Sequence, residues 1–131
     1  MHREARGKIL IVEDDAPLAR GLKLQLESKG FEIRVEPSGS RALKAATEEP
    51  VDLVILDLIL PDMSGYEVCK QMRRLTHPWE PPVLMLTAMI EPVDRLRGFA
   101  YGADAYMTKP CQASELIKTI TKLIGEVTPP L

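Results

Sequence analysis

Along the chain, five short runs of apolar residues alternate with five longer stretches in which apolar positions recur every three or four residues. Runs at 9–12, 51–56 and 83–86 are almost continuously apolar, as central strands buried on both faces must be. Phe31, Ile33 and Val35 alternate instead with Glu32, Arg34 and Glu36, giving one wet and one dry face and suiting a sheet edge. The short, partly apolar segment 105–108 is the candidate for the opposite edge. Strand and helix in strict alternation predict an α/β domain: a doubly wound, five-stranded parallel sheet in the order 2-1-3-4-5, flanked by five helices.

The helical stripes are legible. Leu18, Leu22 and Leu26 mark the first helix, Val68, Cys69, Met72 and Leu75 the third, and Leu116, Ile117, Ile120, Leu123 and Ile124 the last. Asp15, Ser38 and Ser64 precede the first three helices as N-caps, and Gly30 follows the first as a C-cap. Pro129 and Pro130 cannot continue a helix, so residues 1–125 read as one domain and 126–131 as a tail or the start of a linker.

At 131 residues the chain fits a single globular domain, and its 45% hydrophobic and 27% charged residues exclude a disordered one. A net charge of −2, with basic residues scattered, provides no field for holding nucleic acid or an anionic membrane. No apolar run approaches the roughly 18 residues of a membrane span, and the first eight residues are too polar for a secretory signal. The expected location is the cytoplasm. Cys69 and Cys111 stand alone, without the spacing of a zinc site or a disulfide framework, and read as reduced thiols.

In an open parallel sheet, ligands bind beyond the carboxyl ends of the strands. Here those ends carry Glu13, Asp14 and Asp15, then Asp57, Thr87 and Lys109, which is followed by Pro110. Each has an ordinary explanation: a helix cap, a turn residue, a strand threonine, a solvated lysine. Jointly, however, the strand order brings them to one pocket. Carboxylates that close repel one another, and a divalent cation would resolve the repulsion. Hard oxygen donors favour Mg²⁺ over zinc. Asp57, projecting from a buried central strand, suits an in-line nucleophile toward phosphorus; Lys109 would neutralise charge and Thr87 would hydrogen-bond a phosphoryl oxygen.

The stretches ILIVEDD, VDLVILDLILPDMSG, PVLMLTA and GADAYMTKP, in this order and spacing, resemble the motifs of response-regulator receiver domains over residues 8 to about 125. The resemblance implies a flavodoxin-like, two-component signalling switch rather than an enzyme with an external substrate. It implies that Glu13 and Asp14 form an acidic pair and that Asp57 accepts phosphate from a sensor histidine kinase or phosphotransfer protein. The backbone carbonyl of Ile59 would complete the Mg²⁺ shell. Thr87 and Tyr106 would form the switch, with the tyrosine ring turning inward behind the threonine, and Lys109 would pair with the phosphate. The Lys109–Pro110 peptide would be cis, and the surface of helix 4, strand 5 and helix 5 would meet an output domain or downstream protein.

Three positions depart from that pattern. Cys111 stands where an aromatic residue often follows Lys-Pro. Ala105 and Thr119 replace the acid and arginine that pair across the dimers of winged-helix regulators. Two other readings carry less weight. A phosphohydrolase of the haloacid dehalogenase type would need a second acid two residues after Asp57, where Ile59 stands. A pseudo-receiver, a binding module without phosphorylation, would lack some of Asp14, Asp57, Thr87 and Lys109, all of which are present.

Overall fold

The computed structural model describes residues 6–127. Its elements run β1 (Gly7–Val12), α1 (Ala16–Glu27), β2 (Phe31–Glu36), α2 (Gly39–Glu48), β3 (Leu53–Leu56), α3 (Gly65–Thr76), β4 (Val83–Thr87), α4 (Pro92–Ala100), β5 (Ala105–Thr108) and α5 (Ala113–Val127). The five strands are all parallel, in the order β2-β1-β3-β4-β5. This is the expected flavodoxin-like arrangement.

Successive side chains of a strand point to opposite faces, so the continuous apolar runs supply two cores at once. Leu10, Val12, Val54, Leu56 and Met85 pack with Ala42, Val68 and Met72 of α2 and α3 on one face. Ile9, Ile11, Leu53, Ile55 and Leu84 pack with Leu22 and Leu26 of α1 and Leu116 and Ile120 of α5 on the other. Both cysteines are free. Burial pushes the Cys69 thiol up to about 11.

The three predicted N-caps form. Asp15 accepts from the amide of Leu18 at 3.1 Å, Ser38 from Arg41 at 3.3 Å and Ser64 from Glu67 at 3.2 Å. A further cap comes from a distance: Asp62, in the loop after β3, accepts from the amides of Gly39 and Ser40 at 2.8 and 2.9 Å and holds the start of α2.

Several boundaries differ from expectation. β3 begins at Leu53 and not at 51; just before it the Asp52 amide bonds the Lys8 carbonyl at 2.7 Å, while the Lys8 amide goes to the Asp52 carboxylate at 2.7 Å. The outer face of β2 is not simply wet, since Arg34 bonds Glu36 at 2.9 Å and reaches Glu48 of α2 at 2.8 Å. Leu75 is 52% exposed; in the last turn of α3 Thr76 lies further inward and donates its hydroxyl to the Met72 carbonyl. The C-cap of α1 is Ser28, while Gly30, at φ +96°, makes the left-handed turn into β2. α5 continues to Val127, so helix occupies the first two positions of the expected tail, and residues 128–131 lie outside the described residues. No helix among the described residues is long and apolar enough to cross a membrane.

Candidate functional site

The parallel ladder places the polar strand ends side by side. The amide of Glu13 bonds the carbonyl of Glu36, that of Asp57 bonds Val12, and that of Lys109 bonds Thr87, so each of these three residues is held just past its own strand by a neighbour. Thr87 is the last residue of β4 and is fully buried. Glu13 and Asp57 are buried as well, whereas Asp14 is exposed.

Lys109 ties the pocket together. Its ammonium donates to Glu13 Oε1 at 2.5 Å and to Asp57 Oδ2 at 2.8 Å. Burial works against a charged lysine, but the hydrogen bonds it donates to the Asp57 and Glu13 carboxylates outweigh it and raise the Lys109 pKa. Burial, with repulsion from Asp57, pushes the Glu13 carboxyl up, against the opposing pull of Lys109 and the Asp15 amide. The remaining oxygens are also oriented: Glu13 Oε2 accepts from the Asp15 amide at 3.1 Å, and Asp57 Oδ1 from the Ile59 amide at 3.1 Å.

Glu13, Asp14 and Asp57 each offer a carboxylate oxygen, and these lie within 4.8 Å of one another. An all-oxygen set of this size fits a hard divalent cation and does not suit a soft metal. Exposed Asp14 leaves the cluster open to solvent on one side. Sequence reasoning anticipated the crowding; it did not anticipate that the ammonium of Lys109 bridges two of the three carboxylates.

Tyr106 lies on β5 with its ring buried, and its hydroxyl donates to the Met89 carbonyl at 2.8 Å. The amide of the same Met89 approaches Thr87 Oγ1 at 3.4 Å. One residue of the β4–α4 loop therefore connects threonine and tyrosine through both ends of its backbone. Arg95 of α4 donates to the Tyr106 carbonyl at 3.2 Å, and its guanidinium lies 6.0 Å from the ring centroid. Met89 in this bridging role and Arg95 were not recognised from sequence, because backbone groups and a lone helical arginine leave no pattern. The Lys109–Pro110 peptide is cis, as is His77–Pro78.

A family model described as the response regulator receiver domain matches residues 9–121. The chain belongs to this family. Receiver domains of this kind are signalling domains of two-component systems, and the relatives agree. The chain is similar to the response regulator ArlR of Staphylococcus epidermidis, 40% identical over 88% of this chain and 52% of that protein. It is similar also to the alkaline phosphatase synthesis transcriptional regulatory protein PhoP of Bacillus subtilis, 42% identical over 83% of this chain and 45% of that one. This receiver domain thus spans about half the length of the curated relatives it matches. Among solved structures it resembles the BeF3-activated N-terminal receiver domain of Klebsiella pneumoniae RstA, with a TM-score of 0.84 and 28% identity over 89% of this chain and 97% of that one. The chemotaxis protein CheY4 of Vibrio cholerae superimposes with a TM-score of 0.84 and 30% identity over 92% and 99% of the two chains.

Proposed function

We propose that this receiver domain takes a phosphoryl group on Asp57 from the phosphohistidine of a sensor histidine kinase or phosphotransfer protein and relays the change to an output partner. The observation that carries the reading is the shared ammonium: Lys109 contacts Asp57 and Glu13 together, in a pocket where Asp14 completes a three-carboxylate cluster.

In the transfer, a carboxylate oxygen of Asp57 bonds phosphorus as the nitrogen–phosphorus bond of the donor breaks. Ile59 donates its amide to Oδ1 and Lys109 its ammonium to Oδ2, which holds the carboxylate orientation. Glu13, Asp14, Asp57 and the backbone carbonyl of Ile59 would hold Mg²⁺, which when bound supplies positive charge against the phosphoryl oxygens. Lys109 then shifts its ammonium from carboxylate to phosphoryl oxygen, and the Thr87 hydroxyl turns from the Met89 amide to a phosphoryl oxygen. That leaves the link through Met89 to Tyr106 as the relay. The ring-in arrangement of Tyr106 is the one the phosphoryl group selects, through its better contacts in that state. The face built by α4, β5 and α5 carries the result to an output domain or downstream protein, in the cytoplasm.

The test is phosphorylation by acetyl phosphate with Mg²⁺. The expected product is a single acid-stable, alkali-labile phosphate, absent from Asp57→Asn, whose amide keeps the shape and loses the nucleophilic charge. Undiminished labelling of Asp57→Asn moves the acceptor elsewhere, and no labelling of the wild type makes the domain a pseudo-receiver.

A further inference from the structure

We propose that Gly98 is a positioning residue for Tyr106: the missing side chain on the inner face of α4 is what admits the phenol ring to its buried seat. Gly98 and Asp94 are the buried residues of α4, while Val93, Leu96 and Phe99 are exposed. A glycine inside a helix destabilises it relative to alanine, because it loses more backbone freedom on folding. Nothing in its own conformation calls for glycine, since among the described residues only Gly30 and Gly102 have positive φ. The reason lies in what it touches.

A Cβ at position 98 would stand 2.9 Å from Met85 Sδ and 2.9 and 3.2 Å from Cδ2 and Cε2 of the Tyr106 ring. Favourable carbon–carbon contact begins about 3.5 Å apart, so something must move. Met85 is fully buried in β4, so its sulfur can shift only into space that another group vacates. Its backbone is held between β3 and β5. Tyr106 is different. It sits on the terminal strand of the sheet, and beyond its packing against the core its ring is held by one hydroxyl bond to Met89 and by the guanidinium of Arg95. Turning the ring out past the free edge removes its own clash and vacates space into which the flexible Met85 sulfur can shift, at the cost of those contacts. Alanine at 98 therefore closes the seat and withdraws the donor from the carbonyl of Met89, the same residue whose amide reaches Thr87. The inference rests on the reading of Tyr106 as part of the switch only for its consequence in signalling; the claim about the seat stands on geometry alone.

Three variants of the full chain test it: Gly98→Ala, Tyr106→Ala and the pair. Gly98→Ala is expected to lower the melting temperature in the wild-type background and to raise it in Tyr106→Ala, where the ring is gone and the helix preference of alanine is felt. An equal loss in both backgrounds overturns the proposal, because the clash would then lie elsewhere. In NMR spectra, Gly98→Ala is expected to lose most of the cross-relaxation between the Tyr106 ring protons and the Met85 methyl, with the amide pattern of β1 and β3 unchanged. A ring that keeps this contact overturns the proposal. The same spectra with Mg²⁺ and beryllofluoride separate the two ideas: a wild-type ring indifferent to beryllofluoride, together with a displaced ring in Gly98→Ala, refutes the switch reading and supports the seat.

Discussion

Lys109 and Asp57, 52 residues apart in sequence, are joined by a hydrogen bond of 2.8 Å, and the same ammonium reaches Glu13 at 2.5 Å. Lysine here does what a metal would otherwise have to do alone: it compensates two buried carboxylates. Lys109→Met is expected to cost about 3 kcal/mol in urea unfolding without divalent cation, since it leaves buried acids without their partner. Asp57→Asn is expected to be as stable as the wild type or more so, because Lys109 keeps Glu13 while one of the crowded charges is removed. A loss below about 1 kcal/mol for Lys109→Met would place the pair among exposed ion pairs instead.

Asp62 couples the loop after Asp57 to the start of α2. Hydrogen bonds from the amides of Ser40 and then Gly39 hold its carboxyl below the ordinary value of 3.8. A depressed folded pKa contributes stability above the unfolded value, and that contribution disappears as pH falls through the folded one. Asp62→Asn is therefore expected to melt below the wild type at pH 7, with the difference closing below about pH 4. Faster amide exchange at Gly39 and Ser40 in the variant would locate the effect; a pH-independent difference would contradict it.

Ile59, exposed, and Met89, half-buried, stand two residues after Asp57 and Thr87. Neither side chain can orient an attacking water by hydrogen bonding, so slow self-dephosphorylation is expected. Radiolabelled phosphoprotein, freed of donor, should persist for minutes or longer with Mg²⁺. Decay within seconds would show that another group positions the water.

Ala105 on β5 carries no charge, and Thr119 on α5 donates its hydroxyl to the Glu115 carbonyl within its own helix. The acid–arginine pair that joins winged-helix regulators across this face has no counterpart here. Sedimentation with and without beryllofluoride is expected to give a monomer in both cases. A tight activated dimer that is lost on substitution at Ala105 or Thr119 would refute this.

Much of the architecture is legible in the sequence. Runs such as 83–86 can only be central strands, because a continuous apolar run of that length needs cover on both faces, and alternation of strand and helix leaves little choice but a parallel sheet. The order of strands then brings Glu13, Asp57, Thr87 and Lys109 together, since residues just past parallel strand ends share one edge of the sheet. Caps at Asp15, Ser38 and Ser64 were equally local and equally legible. What tertiary structure alone decided depends on pairs far apart in the chain: the ammonium of Lys109 against Glu13, the carboxylate of Asp62 on the amides of α2, the phenol of Tyr106 on the backbone of Met89, and the empty Cβ position of Gly98 that makes room for that ring. A residue's type and spacing report its own element, because periodicity is a local property of the backbone. Which atom meets which across elements is set by how those elements pack, and a glycine chosen for its neighbour's side chain looks, in the sequence, like any other glycine.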